Sequence, residues 1–146
     1  AERLLHDVLG LEWSKCHEEA CRWEHVITDE AELLIAKQLT SLDADPYGNP
    51  IPGLAALGLP PTAPPAPKTH LTDGLLADGA TATYRVASIA EAAQARPEFL
   101  AQLRDAGIGI GGAVRCTRRG ATYELRAGDA VVVLDRQLAE QFFVAV

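Results

Sequence analysis

Nine consecutive residues, His17 to His25 (HEEACRWEH), restrict this chain more than any other segment. They place His17, Cys21, Glu24 and His25 at i, i+4, i+7 and i+8. At 3.6 residues per turn those side chains form one stripe along a single α-helix. Two imidazoles, a thiol and a carboxylate make a mixed donor set suited to a divalent transition metal. A metal gathers its ligands within about 2.0–2.3 Å of one point. Residues three and four apart on a helix lie about 5–6 Å apart at Cβ, so Cys21, Glu24 and His25 can share one ion. His17 sits one turn earlier and leans toward the helix N-terminus, so it suits a second ion or a ligand from elsewhere in the chain. A core cysteine, a hydrogen-bonded histidine and a solvated glutamate satisfy the same spacing without metal. No CxxC pair and no HExxH occur, so neither a zinc ribbon nor a zincin is indicated.

A length of 146 residues accommodates one ordinary domain or two small ones. The net charge of −7 argues against nucleic-acid binding by this stretch alone, because phosphate contact needs clustered Lys and Arg. The 3 cysteines, Cys16, Cys21 and Cys116, do not form a disulfide framework and point to a reducing cytoplasm. Nothing approaches 18 consecutive apolar residues, so no membrane span is expected, and no signal peptide opens the chain. The chain begins on AERLL, already in helical rhythm and without a cap, which reads as the tail of a longer helix in a larger protein.

The first part reads as three short helices. Leu4, Leu5, Val8 and Leu9 form an apolar face that Gly10 ends. A second helix is expected from about Ser14 to Val26. A third is capped by Thr28 or Asp29, with Ala31, Leu34, Ile35, Leu39 and Leu42 at helical spacing. Three such helices bury little by themselves, and a symmetric partner is the cheapest source of further surface. From Asp45 the texture changes. Asp45 to Gly53 (DPYGNPIPG) is irregular, and Gly58 to Lys68 (GLPPTAPPAPK) favours extended polyproline II and a semi-rigid tether.

The last part reads as a small α+β unit. Strands are expected at Ala80 to Val86, Ala113 to Thr117, Ala121 to Leu125 and Ala130 to Leu134. Ser88-Ile-Ala-Glu91 has capping-box form, and Pro97 suits the first turn of a helical piece ended by Gly107. Short strands at this spacing suggest a small barrel with an inserted helical turn.

AERLL, HEEACRWEH and PYGNPIPG together resemble the diphtheria toxin repressor family of iron-dependent repressors. The resemblance is dense over residues 1–54 and thin over residues 82–146. It implies an α+β chain: a helical metal-binding and dimerisation domain over residues 1–55, a proline-rich linker over 56–80 and an SH3-like β-barrel domain over 81–146. It also implies that the family's N-terminal winged-helix DNA-binding domain is missing.

The resemblance further implies two metal positions. The primary one takes Cys21, Glu24 and His25, completed in the family by a methionine from the DNA-binding domain. The ancillary one takes Glu2 and His17, a histidine that would precede Ala1, and a Glu and a Gln three residues apart in the SH3-like domain, matched by Glu91 and Gln94. A capping box with Ser88 explains Glu91 equally well. Relatives carry a serine before the PFGNPIPG run that helps the Asn bind an anion. Asp45 stands there in this chain while Asn49 remains, and its charge argues against that anion.

The expected function is therefore a cytoplasmic, homodimeric, metal-dependent transcriptional repressor that binds operator DNA through the missing domain. Iron(II), Fe(II), is the expected metal and manganese(II), Mn(II), the alternative, with zinc, cobalt or nickel as substitutes in vitro. Manganese-sensing members tend to carry a carboxylate where Cys21 stands, because manganese prefers hard oxygen ligands. No acid/base cluster or phosphate-cradling loop supports a metalloenzyme, and Gly109 to Gly112 (GIGG) lacks the P-loop lysine. A third reading is a dimerisation and peptide-binding module with Pro60 to Pro67 docked on the barrel. The scarcity of aromatic residues, 5%, makes an aromatic groove hard to assemble. Trp23 reads as a core or interface anchor and Arg22 as a solvated charge. Cys16 and Cys116 read as packing, and His6 and His70 have no companions at ligand spacing.

Overall fold

The segment with the metal-binding pattern is helical over Cys16–Glu24 (α1) in the computed structural model, which describes residues 1–60 and 64–146. The polyproline reading of residues 58–68 falls in part on residues 61–63, which lie outside the described residues. The chain divides into two units, Ala1–Pro65 and Ala66–Val146. Helices dominate the first and an antiparallel sheet the second, so the α+β class holds. Among the described residues no helix is long and apolar enough to cross a membrane.

In the first unit, α1 is shorter than the expected 14–26 span. Trp13–Lys15 form a 3-10 turn ahead of it, and His25 caps it. The opening helix is π-helical over Leu4–Val8, with Leu9 N–H donating to Leu4 O at 3.0 Å. Gly10 then turns at φ 71°, which lets Leu11 N–H reach Leu5 O at 2.8 Å. Of the expected apolar face only Leu5 is buried. Val8 and Leu9 are 55% and 59% exposed, because no element of the unit covers them.

Thr28 caps α2 (Asp29–Gln38) as expected, its Oγ1 accepting from Ala31 N–H at 3.2 Å. The helix stops short of Leu39 and Leu42: Leu39 is already extended, at ψ 140°. The proline-glycine loop that follows has its own core. Tyr47 is fully buried against Trp13, ring centroids 5.1 Å apart, and Trp13 Nε1 donates to Pro46 O at 2.9 Å.

The second unit holds a six-stranded antiparallel sheet in the order β1-β6-β2-β3-β4-β5. Its strands are β1 (Lys68–His70), β2 (Thr81–Ile89), β3 (Ala113–Arg119), β4 (Thr122–Ala127), β5 (Ala130–Asp135) and β6 (Phe142–Ala145). Between them lie helices α3 (Leu71–Gly74), α4 (Glu91–Gln94), α5 (Pro97–Asp105) and α6 (Arg136–Glu140). A bulge between Val86 and Ser88 splits β2, so that its first half pairs with β3 and its second with β6. Alternate residues point inward: Val114 and Cys116, Tyr123 and Leu125, Val132 and Leu134. Phe99, Leu100 and Leu103 of α5 are buried as well, and fully burying a Leu or Phe side chain contributes about 1.5–3 kcal/mol. The β3–β4 and β4–β5 hairpins both use two-residue loops whose first residue is a glycine at positive φ, Gly120 (61°) and Gly128 (58°). That is the backbone a type II′ turn requires.

Several expectations need correction. The sheet is open, with β1 and β5 as edges, whereas a closed barrel was expected. The linker expected over residues 56–80 ends earlier. From Lys68 onward the chain forms β1 and α3, and Leu71 and Leu75 are buried to 0% and 1% exposure. The capping box does not form, because Ser88 lies inside β2, fully buried, with its Oγ accepting from Lys68 Nζ at 2.8 Å. Ala90 occupies the N-cap of α4 instead.

Candidate metal centre

His17 is the hub of the expected ligand set. The first turn of α1 holds it nearly buried, 8% exposed, and its backbone N–H donates to Tyr47 Oη at 3.2 Å. Its Nδ1 lies 3.0 Å from Glu2 Oε1. Its Nε2 lies 3.5 Å from Cys21 Sγ, one helical turn onward. Glu2, His17 and Cys21 therefore form a continuous line of oxygen, nitrogen and sulfur donors linking the two expected metal positions. Two donors about 2.1 Å from one ion and at right angles stand about 3.0 Å apart. The Glu2–His17 pair has that separation, which is equally that of a histidine–carboxylate hydrogen bond.

The remaining helix ligands are poised rather than assembled. Cys21 is half-buried, while Glu24 and His25 are exposed at the end of α1. Glu24, Glu2 and Asp45 all line one groove in the first unit. Among the described residues no group of three His, Cys, Asp or Glu side chains converges at metal-binding distance.

Burial pushes the Glu2 carboxyl above its ordinary pKa. The hydrogen bond from His17 opposes this, and the Asp45 charge adds to it. Asp45 is also raised by burial, against the pull of the Asn49 and Tyr47 amides. Its Oδ1 accepts from Tyr47 N–H at 2.9 Å and Asn49 N–H at 3.0 Å. The carboxylate thus closes on the backbone of its own loop. Arg3 fastens that loop to the opening helix, donating to Ala44 O at 2.7 Å and to Asp45 O at 3.3 Å. Sequence spacing gave no sign that Arg3 reaches Ala44 or that Tyr47 reaches the His17 amide, since both contacts span about thirty residues or more.

Glu91 and Gln94 lie on α4 in the second unit. Glu91 is exposed, and with Ser88 withdrawn into β2 the capping explanation for it no longer applies. Gln94 is turned inward, 3% exposed, its Nε2 donating to Ile89 O at 2.8 Å. Only its amide oxygen remains as a ligand atom. Cys16 is fully buried with its thiol directed at Glu12 O, and burial pushes it up to about 11. Cys116 is buried in β3 and pushed up to about 12. Trp23 Nε1 donates to Glu19 Oε1 at 2.9 Å, and Arg22 pairs with the same carboxylate at 2.8 Å.

Residues 1–53 match the family described as iron dependent repressor, metal binding and dimerisation domain. The chain is 41% identical over 119 residues to the diphtheria toxin repressor of Corynebacterium diphtheriae, covering 82% of this chain and 52% of that protein. It is 42% identical over 110 residues to the iron-dependent repressor IdeR of Mycobacterium tuberculosis, covering 74% and 47% respectively. A solved structure described as a manganese-dependent transcriptional repressor superposes with a TM-score of 0.73 at 29% identity, over 99% of this chain and 75% of that one. The chain spans about half the length of the curated relatives it matches. With the helix that carries the expected ligands, the loop packed on it and these matches in agreement, the chain belongs to the diphtheria toxin repressor family of iron-dependent repressors, a family of transcriptional repressors rather than enzymes.

Proposed function

We propose that this chain is the metal-sensing part of a cytoplasmic transcriptional repressor that responds to iron(II). The single observation that carries the reading is the Glu2–His17–Cys21 line, with a thiol at the centre of the helix stripe. Cys21, Glu24 and His25 would hold the activating ion. Glu2 and His17 would hold the ancillary one.

A bound divalent ion supplies positive charge that draws thiolate, imidazole and carboxylate donors together. A metal at the imidazole or carboxylate replaces the hydrogen bond between them, and Cys21 must lose its thiol proton, so affinity falls as pH falls. Exposed Glu24 and His25 can rotate toward Cys21 without disturbing the core. Ordering of the end of α1 would favour one arrangement of the repressor over others, and only such differential affinity shifts a population. The domain match carries dimerisation in its description. We place the homodimer contact at the exposed Val8, Leu9, Val26 and Leu34, with the two protomers presenting DNA-binding domains to the half-sites of an operator. The second unit is proposed to be SH3-like.

Manganese(II) is the second reading, favoured by the likeness to a manganese-dependent repressor. Cys21 argues for iron, because a soft thiolate suits manganese poorly. The test is an anaerobic titration of iron(II), manganese(II) and zinc(II) into the whole repressor while operator binding is followed. Activation by iron at lower free concentration supports the proposal. Preference for manganese moves the protein to the second reading, and activation by no metal refutes both.

A further inference from the structure

The negative charge of the chain is unevenly placed. Residues 1–65 carry 11 acidic and 4 basic side chains, whereas residues 66–146 are balanced at 9 of each. Within the balanced unit, arginines gather on the outer face of the sheet. Arg115 of β3 stands directly across from Arg126 of β4, and Arg119 lies further along the same face of β3. Directly opposed cross-strand residues have Cα atoms about 4.5–5.5 Å apart. Like charges at that separation destabilise the sheet.

The neighbourhood does not neutralise this pair. Glu124, the nearby carboxylate on β4, is committed to Arg119 at 3.0 Å. Among the described residues neither Arg115 nor Arg126 has an ion-pair or side-chain hydrogen-bond partner, and both are exposed. Together with Thr117, Arg119 and Glu124 they line a shallow hollow. Thr83 adjoins Arg115 on the other side, in register on β2. Three arginines and one glutamate leave a local charge of two, presented as two guanidinium forks, while the Thr117 hydroxyl is bonded to Thr81 Oγ1 at 2.9 Å. That geometry suits bidentate contact with tetrahedral oxyanions.

We propose that the outer face of β3 and β4 is a binding site for a dianionic terminal phosphoryl group, clamped between Arg115 and Arg126. The charge of two matches a dianion better than a single carboxylate or the monoanionic phosphodiester of a nucleic acid. The group has two sources, free inorganic phosphate or a phosphorylated side chain of a protein.

The test is an amide-resolved NMR titration of the 146-residue chain at constant ionic strength, with chloride as control. One arm uses inorganic phosphate and the other a phosphoserine peptide with its unphosphorylated form. Saturable shifts at residues 115, 117, 124 and 126 are expected, and the double variant R115Q/R126Q should weaken them by at least about tenfold. R115K/R126K, which keeps charge but loses the forks, should fall between. Tighter binding of the peptide identifies a phosphoprotein as the source, and equal or tighter binding of phosphate identifies the free ion. Shifts no larger than those of chloride, shifts that survive R115Q/R126Q, or tighter binding of duplex DNA to this face would each overturn the proposal. In phosphate-free buffer R115Q/R126Q is expected to melt no lower than the parent, since it removes a repulsive pair. A clear loss of thermal stability would show the arginines to be structural instead.

Discussion

His17 Nδ1 and Glu2 Oε1 lie 3.0 Å apart, although 15 residues separate them in the chain. The contact ties the opening helix to α1 and leaves the other ring nitrogen directed at Cys21. One imidazole thus touches the donors assigned to both metal positions. Its tautomer decides which neighbour receives the proton and which ring nitrogen keeps a lone pair for a metal.

The three thiols differ sharply in environment. Cys21 is half-buried, whereas Cys16 and Cys116 are fully buried and pushed up to about 11 and about 12. Because the thiolate is the nucleophile, alkylation at pH 8 should label Cys21 first and leave the other two unmodified until the chain unfolds. Mass spectrometry of timed iodoacetamide reactions checks this. Labelling of Cys16 at the rate of Cys21 would contradict the packing described for α1.

Asp45 should make the first unit less stable as pH rises. Its carboxyl is raised above the ordinary 3.8, so the folded state binds the proton more tightly than the unfolded one. The stability this contributes is full below 3.8 and disappears as pH climbs through the raised value. Asp45→Asn keeps an oxygen acceptor for the Tyr47 and Asn49 amides without the charge, and should flatten that decline. Asp45→Ala strands both amides and should cost about 1–3 kcal/mol. Urea melts of the three proteins between pH 4 and 7 separate the effects, and identical pH slopes for wild type and Asp45→Asn would count against the assignment.

Cys21→Asp should move metal preference toward manganese. A carboxylate in place of the thiolate hardens the donor set, so the ratio of iron(II) to manganese(II) affinity is expected to fall by about tenfold. Anaerobic competition against a chelator measures it. An unchanged ratio would remove Cys21 from the ligand set.

Leu125 is completely buried in β4, opposite Cys116 of β3. Leu125→Ala should destabilise the second unit by about 2–5 kcal/mol through lost burial and the cavity left behind. Calorimetry should show a lowered transition for residues 66–146. A loss under about 1 kcal/mol would mean that the sheet collapses around the gap.

Local periodicity made much of this architecture legible. The α1 stripe, the Thr28 cap, the Pro97 helix start and four of the six strands all follow from spacing and turn residues close in the chain. The elements that went unread, β1, α3, α6 and β6, are short. Lys68–His70 exists as a strand only because Phe142–Ala145 pairs with it, about seventy residues later. Ser88 shows the same limit from the other side: its capping-box pattern is sound locally, but pairing of β2 with β6 takes it into the sheet.

By itself the sequence determined the ligand types, their helical stripe and the family resemblance, because these depend on residue identity and the fixed pitch of a helix. The family resemblance already grouped Glu2 with His17, and only the tertiary structure decided that Asp45 is spent on its own loop. It alone turned Gln94 inward and set Arg115 across from Arg126. Strand register sets the arginines opposite each other, whereas the Asp45 and Gln94 bonds close within five residues through loop and turn geometry that helical or strand spacing does not encode.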